Sequence, residues 1–375
     1  MNLGRPITRR SWLRQASLAA AAGNIPQALA AKPDPKATAE IESLARDFMQ
    51  RHQVPGLSIA FSAKGRPAFS HAYGLADDAA GEELTTSHRF RIASISKPIT
   101  SVAIFKLIET GKLKLDDPVF GGDHLTLPPD AAKPEKLAAI TVHHLLTHTS
   151  GGWRNDRTDP MFSHPRLPHD ELIPLTLREV PLTHDPGTHH AYSNFGYCLL
   201  GRLIEKVSGT SYTEFTTQSV LAPCGIRSMQ IAGDTREDRA ENEVVYHGRN
   251  GENPYNMNVR RMDAHGGWIA TPGDLLKFLL RADGEPTPAD LLTGPSMKAM
   301  LRTPPASPHY AGGWSINQAP NWWHGGSLPG TATIAARTAR GLCWAGFTNA
   351  RAPNISGALD QLMWQMAKAV PEWGT

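Results

Sequence analysis

The chain has 375 residues, with 38 Lys and Arg against 35 Asp and Glu and a hydrophobic share of 40%. That balance excludes a disordered chain, and no run approaches the ~20 apolar residues of a membrane span. Cys198, Cys224 and Cys343 have neither metal-type spacing nor an even count, so cysteine supplies no framework.

Arg5, Arg9, Arg10 and Arg14 all fall in the first 30 residues, which carry no acid, and without them the balance is 34 against 35. A nucleic-acid partner therefore has no electrostatic support, because phosphate binding needs a clustered basic surface. Residues 1–30 read instead as an export signal. Thr8-Arg9-Arg10-Ser11-Trp12-Leu13-Arg14 is followed by weakly apolar residues 16–22 and by Ala28-Leu29-Ala30, an A-x-A end. The paired arginines before an aromatic and Leu resemble a twin-arginine signal; the alternative is an ordinary basic amphipathic helix. The expectation is a mature chain starting near Ala31 or Lys32, periplasmic or secreted, with no stable membrane insertion after cleavage.

Beyond a Pro- and Lys-rich spacer, Ile41, Leu44, Ala45 and Phe48 recur at helical spacing and predict an amphipathic helix over 38–52. Residues 57–61 and 67–73 are short β-type runs around Lys64-Gly65, which suits a hairpin. The clearest helix covers 94–110, with Ile95, Ile99, Val102, Ala103, Leu107 and Ile108 on one side and Gly111 at its end.

From 116 to 305 helical segments alternate with long Pro-, Gly- and His-rich connections. The helix candidates there are 141–146, 195–207, 271–280 and 287–301. The last two open with Thr-Pro-x-Asp, where Thr caps, Pro fits the first turn and Asp meets the dipole. Strand character returns at 312–316, 321–324, 331–336 and 342–348, and a helix follows over 355–370. This order predicts an α/β fold of the α+β type built from both termini. Residues 37–115 and 306–375 form its sheet-bearing part, and 116–305 a mostly helical insertion, all within one unit over 31–375.

Three strings carry chemistry. In Ser94-Ile95-Ser96-Lys97, positions i and i+3 share a helix face, so the Ser94 hydroxyl and the Lys97 amine can meet. The helix start also offers backbone N–H groups to a developing oxyanion. The plainer alternative is a capping serine with a solvated lysine. In Tyr192-Ser193-Asn194, a phenol near a lysine can ionise more readily and accept a serine proton, while the Asn194 amide can orient a carbonyl. In His324-Gly325-Gly326-Ser327, glycines let a substrate lie along a strand edge, and the Ser327 N–H can supply a second oxyanion donor.

The order and setting of these strings resemble the serine β-lactamase and penicillin-binding-protein superfamily. The branch is that of class C β-lactamases, D,D-carboxypeptidases, D-aminopeptidases and related esterases. The resemblance rests on Phe90-Arg91-Ile92-Ala93-Ser94-Ile95-Ser96-Lys97, Leu145-Leu146-Thr147-His148-Thr149-Ser150-Gly151, and Pro186-Gly187-Thr188 leading into Tyr192-Ser193-Asn194. Gly266-Gly267, Gly312-Gly313-Trp314-Ser315 and residues 324–330 continue it in order, so that it covers about 38–370.

The resemblance implies a β-lactamase/transpeptidase-like fold, with an antiparallel sheet flanked by helices. It casts Ser94 as the acylated nucleophile, Lys97 as its proton partner, Tyr192 as general base or acid and Asn194 as a substrate ligand. His324, Gly325, Gly326 and Ser327 occupy the third motif, which is Lys-Thr-Gly in most β-lactamases. There His324 replaces a fixed cation with a group charged only part of the time near neutral pH. That departure puts efficient β-lactam hydrolysis in doubt, and the acidic deacylation base of class A enzymes has no counterpart.

The implied function is an exported serine hydrolase cleaving an amide or ester bond through an acyl-Ser94 intermediate, of D-amino-acid peptidase/amidase or carboxylesterase type. The alternatives are a class C-like β-lactamase and a penicillin-binding or sensory module that acylates without turnover. Its substrate would be a small molecule or short peptide, cell-wall-derived or β-lactam-like among the options, and no cofactor or metal is required. His144 and His148 have zinc-pair spacing but lack the H-E-x-x-H glutamate. His189 and His190 could line the cleft; Trp153, Trp314, Trp322 and Trp323 could wall it or pack the core.

Overall fold

The computed structural model describes residues 33–373. The export signal expected over 1–30 lies outside them.

Ten strands are assigned among these residues: β1 (Gly56–Ala63), β2 (Arg66–Asp77), β3 (Glu82–Glu83), β4 (Phe90–Arg91), β5 (Gln230–Ile231), β6 (Trp268–Ala270), β7 (Ser315–Ile316), β8 (Trp322–Leu328), β9 (Thr331–Arg337) and β10 (Cys343–Thr348). Seven form one antiparallel sheet in the order β3-β2-β1-β10-β9-β8-β7. The β1–β10 pairing, Leu57 opposite Thr348 through Ser62 opposite Cys343, joins the two ends of the chain. The fold is thus an antiparallel sheet with a helical region, as the resemblance implied.

Helix α1 (Pro35–His52) starts where Asp34 accepts the Ala37 N–H at 2.7 Å and Pro35 occupies the first turn. Its Ile41, Ala45 and Phe48 meet Leu57, Ile59 and Phe61 of β1 on one sheet face, together with Leu359, Met363 and Met366 of the C-terminal helix Ile355–Lys368. Helix Pro272–Leu279 covers the other face. Because both faces are covered, all eight residues of β1 are buried, which is why Gly-Leu-Ser-Ile-Ala-Phe-Ser-Ala does not alternate with charges.

Helix α2 (Ser96–Glu109) differs from the one-sided helix the sequence suggested. Every residue from Ser96 to Phe105 is buried, because α2 runs through the centre between the sheet and the helical region. Its polar residues are matched: Thr100 Oγ1 donates to the Ala264 carbonyl at 2.6 Å and Ser101 Oγ to that of Gly312 at 2.8 Å. Helix α3 (Asn194–Ser208) is capped by Ser193, whose Oγ accepts the Gly196 N–H at 2.9 Å, and ends at Gly209 with φ 76°.

Two expectations change. The helix predicted over 287–301 is confined to Gly294–Met300. Its Thr-Pro-x-Asp string does not cap: Asp290 Oδ1 accepts backbone N–H groups behind it, from Asp283 at 3.2 Å and Gly284 at 3.4 Å. In Thr271-Pro272-Gly273-Asp274 the same pattern works, with Thr271 Oγ1 accepting the Asp274 N–H at 3.0 Å. Second, the strand expected over 321–324 does not stop there; β8 runs on through residues 325–327 to Leu328.

Candidate active site

Ser94 is the middle residue of one 3₁₀ turn, Ala93–Ile95, leading into α2. Strand β9 pins this turn: Thr331 Oγ1 donates to the Arg91 carbonyl at 3.1 Å and Thr333 Oγ1 to that of Ile92 at 3.0 Å. Ala93 has φ 48°. A non-glycine residue there carries about 1–3 kcal/mol of strain, which persists only where the surroundings over-determine it. Gly326 lets β8 come close enough to do so, since a Cβ at that position would fall on the Ile92 carbonyl oxygen and on Thr333 Oγ1. Gly325 is not so confined; its nearest neighbour would be the Thr333 carbonyl oxygen at 3.7 Å.

Lys97, in the first turn of α2, is fully buried. Its Nζ donates to Asn194 Oδ1 at 2.8 Å and to the His265 carbonyl at 2.9 Å, and lies 3.1 Å from Ser94 Oγ. The Asn194 amide is spent at its other end as well, Nδ2 donating to Asp159 Oδ2 at 2.7 Å. The sequence offered Asn194 as a substrate ligand; here both ends of the amide are taken up within the protein, although the residue also borders the cavity at Ser94.

The Tyr192 phenol interacts with the Ser94 hydroxyl. Its ring centroid lies 4.8 Å from Lys97 Nζ and 4.2 Å from the ring of His148. His148 Nδ1 accepts the Ser193 N–H at 3.1 Å and so fixes the strand-like entry of Tyr192 ahead of α3.

Burial pushes the Lys97 amine down to about 7, against the opposing pull of the Asp159 carboxylate. Desolvation likewise pushes the Tyr192 phenol above its ordinary range. The expectation of a phenol made acidic by its lysine is therefore reversed. Lys97 titrates near neutral pH, and Tyr192 stays a protonated hydroxyl.

His324 is buried, and its Nδ1 lies 2.7 Å from the Gly325 carbonyl oxygen. A carbonyl only accepts, so Nδ1 carries the proton, and Nε2 accepts from the Tyr310 hydroxyl at 2.9 Å. Burial and then Lys97 hold this imidazole down to about 3. The sequence reading gave it a part-time charge; in its pocket it is neutral.

Two cavities flank the Ser94–Tyr192 contact. One, of about 480 Å³, is bordered by Ser94, Asn194, Ser327, His265, Met257 and Phe162, with Arg351 at its edge ion-paired to Glu252. The other, of about 360 Å³, is bordered by Tyr192, His190, Ser307, His309, Tyr310 and His324 and has no Lys or Arg in its lining. The structure thus brings Ser94, Asn194 and Ser327 to one cavity and Tyr192 and His324 to the other, with Gly325 and Gly326 on the strand between.

Sequence reasoning missed Asp159, His265 and Tyr310. Asp159 caps the short helix Pro160–Ser163, and nothing local in the sequence signalled that it would be wholly buried. Of the other candidates, His144 Nδ1 accepts the Thr141 N–H at 3.2 Å in a capping box. His189 stacks on His184 at 4.1 Å, and His190 reaches the second cavity. Trp153, Trp314 and Trp322 belong to the core, and Trp323 packs against it.

The sequence pattern of the family described as Beta-lactamase matches residues 41–365. The chain belongs to the beta-lactamase family. It is 30% identical over 198 residues to penicillin-binding protein 4* of Bacillus subtilis, across 51% of this chain and 41% of that protein. It is 29% identical over 221 residues to esterase EstB of Burkholderia gladioli, across 56% of this chain and 54% of that protein. The chain thus spans about half the length, or less, of these relatives. Among solved structures, the D-amino acid amidase of Ochrobactrum anthropi SV3 superposes with a TM-score of 0.73 over 90% of this chain and 99% of that one, at 21% identity. A penicillin-binding protein homologue from Pyrococcus abyssi gives 0.72 over 89% and 79%, at 24% identity. These last two are likenesses of fold. Within this fold, the amidase is seen in complex with D-phenylalanine, L-phenylalanine and L-phenylalanine amide, and SurE with D-Leu.

Proposed function

We propose that the protein hydrolyses small amides or esters whose leaving group carries no carboxylate, through an acyl-Ser94 intermediate. It is then a carboxylesterase or an amidase of the D-amino-acid type rather than a D,D-carboxypeptidase. The observation carrying this reading is the neutral His324, which accepts from Tyr310 where a fixed cation would otherwise receive a carboxylate.

Neutral Lys97 is the base. Its two N–H bonds point to the Asn194 and His265 oxygens, which leaves the nitrogen lone pair for the Ser94 proton. Ser94 Oγ attacks the carbonyl carbon while that proton moves to Lys97, and the oxyanion forms beside Ser94 and Ser327. Collapse breaks the bond to the leaving amine or alcohol, which takes a proton from the Tyr192 hydroxyl. The phenolate left on Tyr192 regains the proton held by Lys97, so that both groups return to their starting states. Water then repeats the sequence on the Ser94 ester, releasing the acid and restoring the serine hydroxyl.

The test is a substrate panel read as kcat/KM: p-nitrophenyl butyrate, D-alanine p-nitroanilide, N-acetyl-D-alanyl-D-alanine and benzylpenicillin, with Ser94→Ala as control. The expected result is Ser94-dependent turnover of the first or second at least about tenfold above the last two. Preferential cleavage of the D-alanyl-D-alanine peptide would overturn it, as would a lasting benzylpenicillin adduct with no turnover of any ester or amide. We also propose export through residues 1–30. Replacing Arg9 and Arg10 together by Lys should hold the protein in the cytoplasm, and unchanged periplasmic or secreted recovery would count against it.

A further inference from the structure

Asp159 is an acid with no exposed surface, in a loop that neither strand nor long helix fixes. Its Oδ1 accepts the Met161 N–H at 2.9 Å, as a helix cap would. Its Oδ2 does something else, receiving the Asn194 amide nitrogen at 2.7 Å across 35 positions of sequence. An Asn side chain has an accepting and a donating end that occupy nearly the same volume, so packing alone does not decide which way it points. A carboxylate only accepts. With Asp159 on one side, the Asn194 Nδ2 must face it, and Oδ1 must face Lys97, where it lies 2.8 Å from Nζ.

We propose that Asp159 is a positioning residue for the reaction, locking the Asn194 amide so that Lys97 presents its lone pair to Ser94. The inference rests on the reading of Lys97 as the base. A neutral amine has two N–H bonds and one lone pair. When Asn194 Oδ1 and the His265 carbonyl take the two hydrogens, the lone pair is left for the serine hydroxyl. Were the amide turned over, Nδ2 would donate into that lone pair, and Lys97 would be spent on Asn194 instead.

The charge of Asp159 acts in a second way. Around Lys97 the titratable groups are the phenols of Tyr192 and Tyr197 and the imidazoles of His148, His265 and His324, all held neutral by burial. Asp159 is the group whose charge raises the lysine. It is itself pushed up to about 6, by burial first. Removing it should move the lysine, and any rate limb the lysine controls, to lower pH.

The experiment compares Asp159→Ser with the wild-type chain. Serine is a good cap for the Met161 N–H but is too short to reach Asn194, so the helix start is kept while the lock is lost. The readout is the rate of labelling by a fluorescently tagged alkyl fluorophosphonate between pH 5 and 9, with thermal unfolding in parallel. The expected result is a plateau rate lower by about tenfold or more and an acid limb displaced downward by about one pH unit.

If the serine variant does not fold, Asp159→Asn, of the same shape without the charge, is read in the same way. A plateau within twofold of wild type overturns the proposal, as does a slower plateau whose limb stays in place, the mark of a purely structural cap. Ser94→Ala separates the two levels of inference. Labelling that survives it sinks the nucleophile reading, whereas loss of labelling there with unshifted Asp159 variants sinks only the positioning role.

Discussion

Lys97 Nζ stands 3.1 Å from Ser94 Oγ inside a pocket that excludes water from the lysine altogether. The proximity comes from a 3₁₀ turn running into a helix, which puts residues three apart on one face. The water exclusion comes from α3, the segment carrying His265 and the rings of Tyr192 and Tyr197 closing around it. Proximity makes proton transfer possible, and burial sets the pH at which it happens.

That pH is the first prediction. With Lys97 held down to about 7, kcat/KM for any good substrate should rise through pH 7 and level off above it. The buried imidazoles do not supply this limb, since His324 sits at about 3 and His148 well below its ordinary value. A pH–rate profile checks it. Rates flat from pH 5.5 to 8.5, or a limb near the ordinary lysine value, would remove Lys97 as the base. Lys97→Ala should cost about 10²–10⁴ in kcat.

The same shift has a stability consequence of definite sign. The unfolded chain protonates Lys97 below its ordinary 10.5, and the folded chain only below about 7. Between those values the unfolded state binds the extra proton, so this site's contribution to stability rises with pH, and its penalty is complete below 7. Lys97→Met lacks the titration. Its stability relative to wild type should therefore be greatest at pH 6–7 and decline toward pH 10, with a limiting slope of about 1.4 kcal/mol per pH unit. Denaturant unfolding at pH 6.5, 8 and 9.5 measures it. A pH-independent difference would mean that the lysine is not held neutral.

How much of this was legible in sequence depends on distance along the chain. Ser94 and Lys97 could be paired because helical spacing alone places them together. The sheet could be read because β1, β2 and β8 to β10 are β-rich runs between turn residues. The two-residue strands β4 and β5 could not, since pairing with β6 rather than local propensity makes them strands. Asp159 and Asn194 are 35 positions apart, and nothing local says that they touch. The charge of His324 was misjudged for the same reason: it depends on burial and on Lys97, which reach it only in the fold. Residue types announced the chemistry, but its protonation states belong to the packing.

Gly325 and Gly326 give a prediction in which neighbours should behave oppositely. A methyl group at Gly326 meets backbone and Thr333 Oγ1, neither of which can yield without moving β8 from the Ser94 turn. Gly326→Ala should lower activity about a hundredfold, the scale of a misplacement near 1 Å, and lower the unfolding temperature too. At Gly325 the space exists, so Gly325→Ala should stay within a few-fold of wild type. Equal losses at both positions would mean that the glycines serve the substrate rather than the turn.

Arg91, three residues before the nucleophile, is buried with its guanidinium spanning two segments. Nη1 donates to the Pro254 carbonyl at 2.6 Å and Nη2 to that of Gly233 at 2.9 Å, while the ring of Tyr246 lies 4.4 Å from the guanidinium carbon. The buried Glu243 carboxylate sits 3.9 Å from its Nε. Arg91→Met leaves that acid without its cation and should cost about 3–5 kcal/mol in unfolding free energy. Arg91→Lys keeps the charge but, lacking the planar fork, cannot hold both carbonyls, and should cost about 1–3 kcal/mol. Because the segment tied at Pro254 leads to Met257 in the wall of the Ser94 cavity, the lysine variant should show a raised KM with kcat nearly unchanged. A fall in kcat at constant KM would instead place the effect of Arg91 on the Ser94 turn itself.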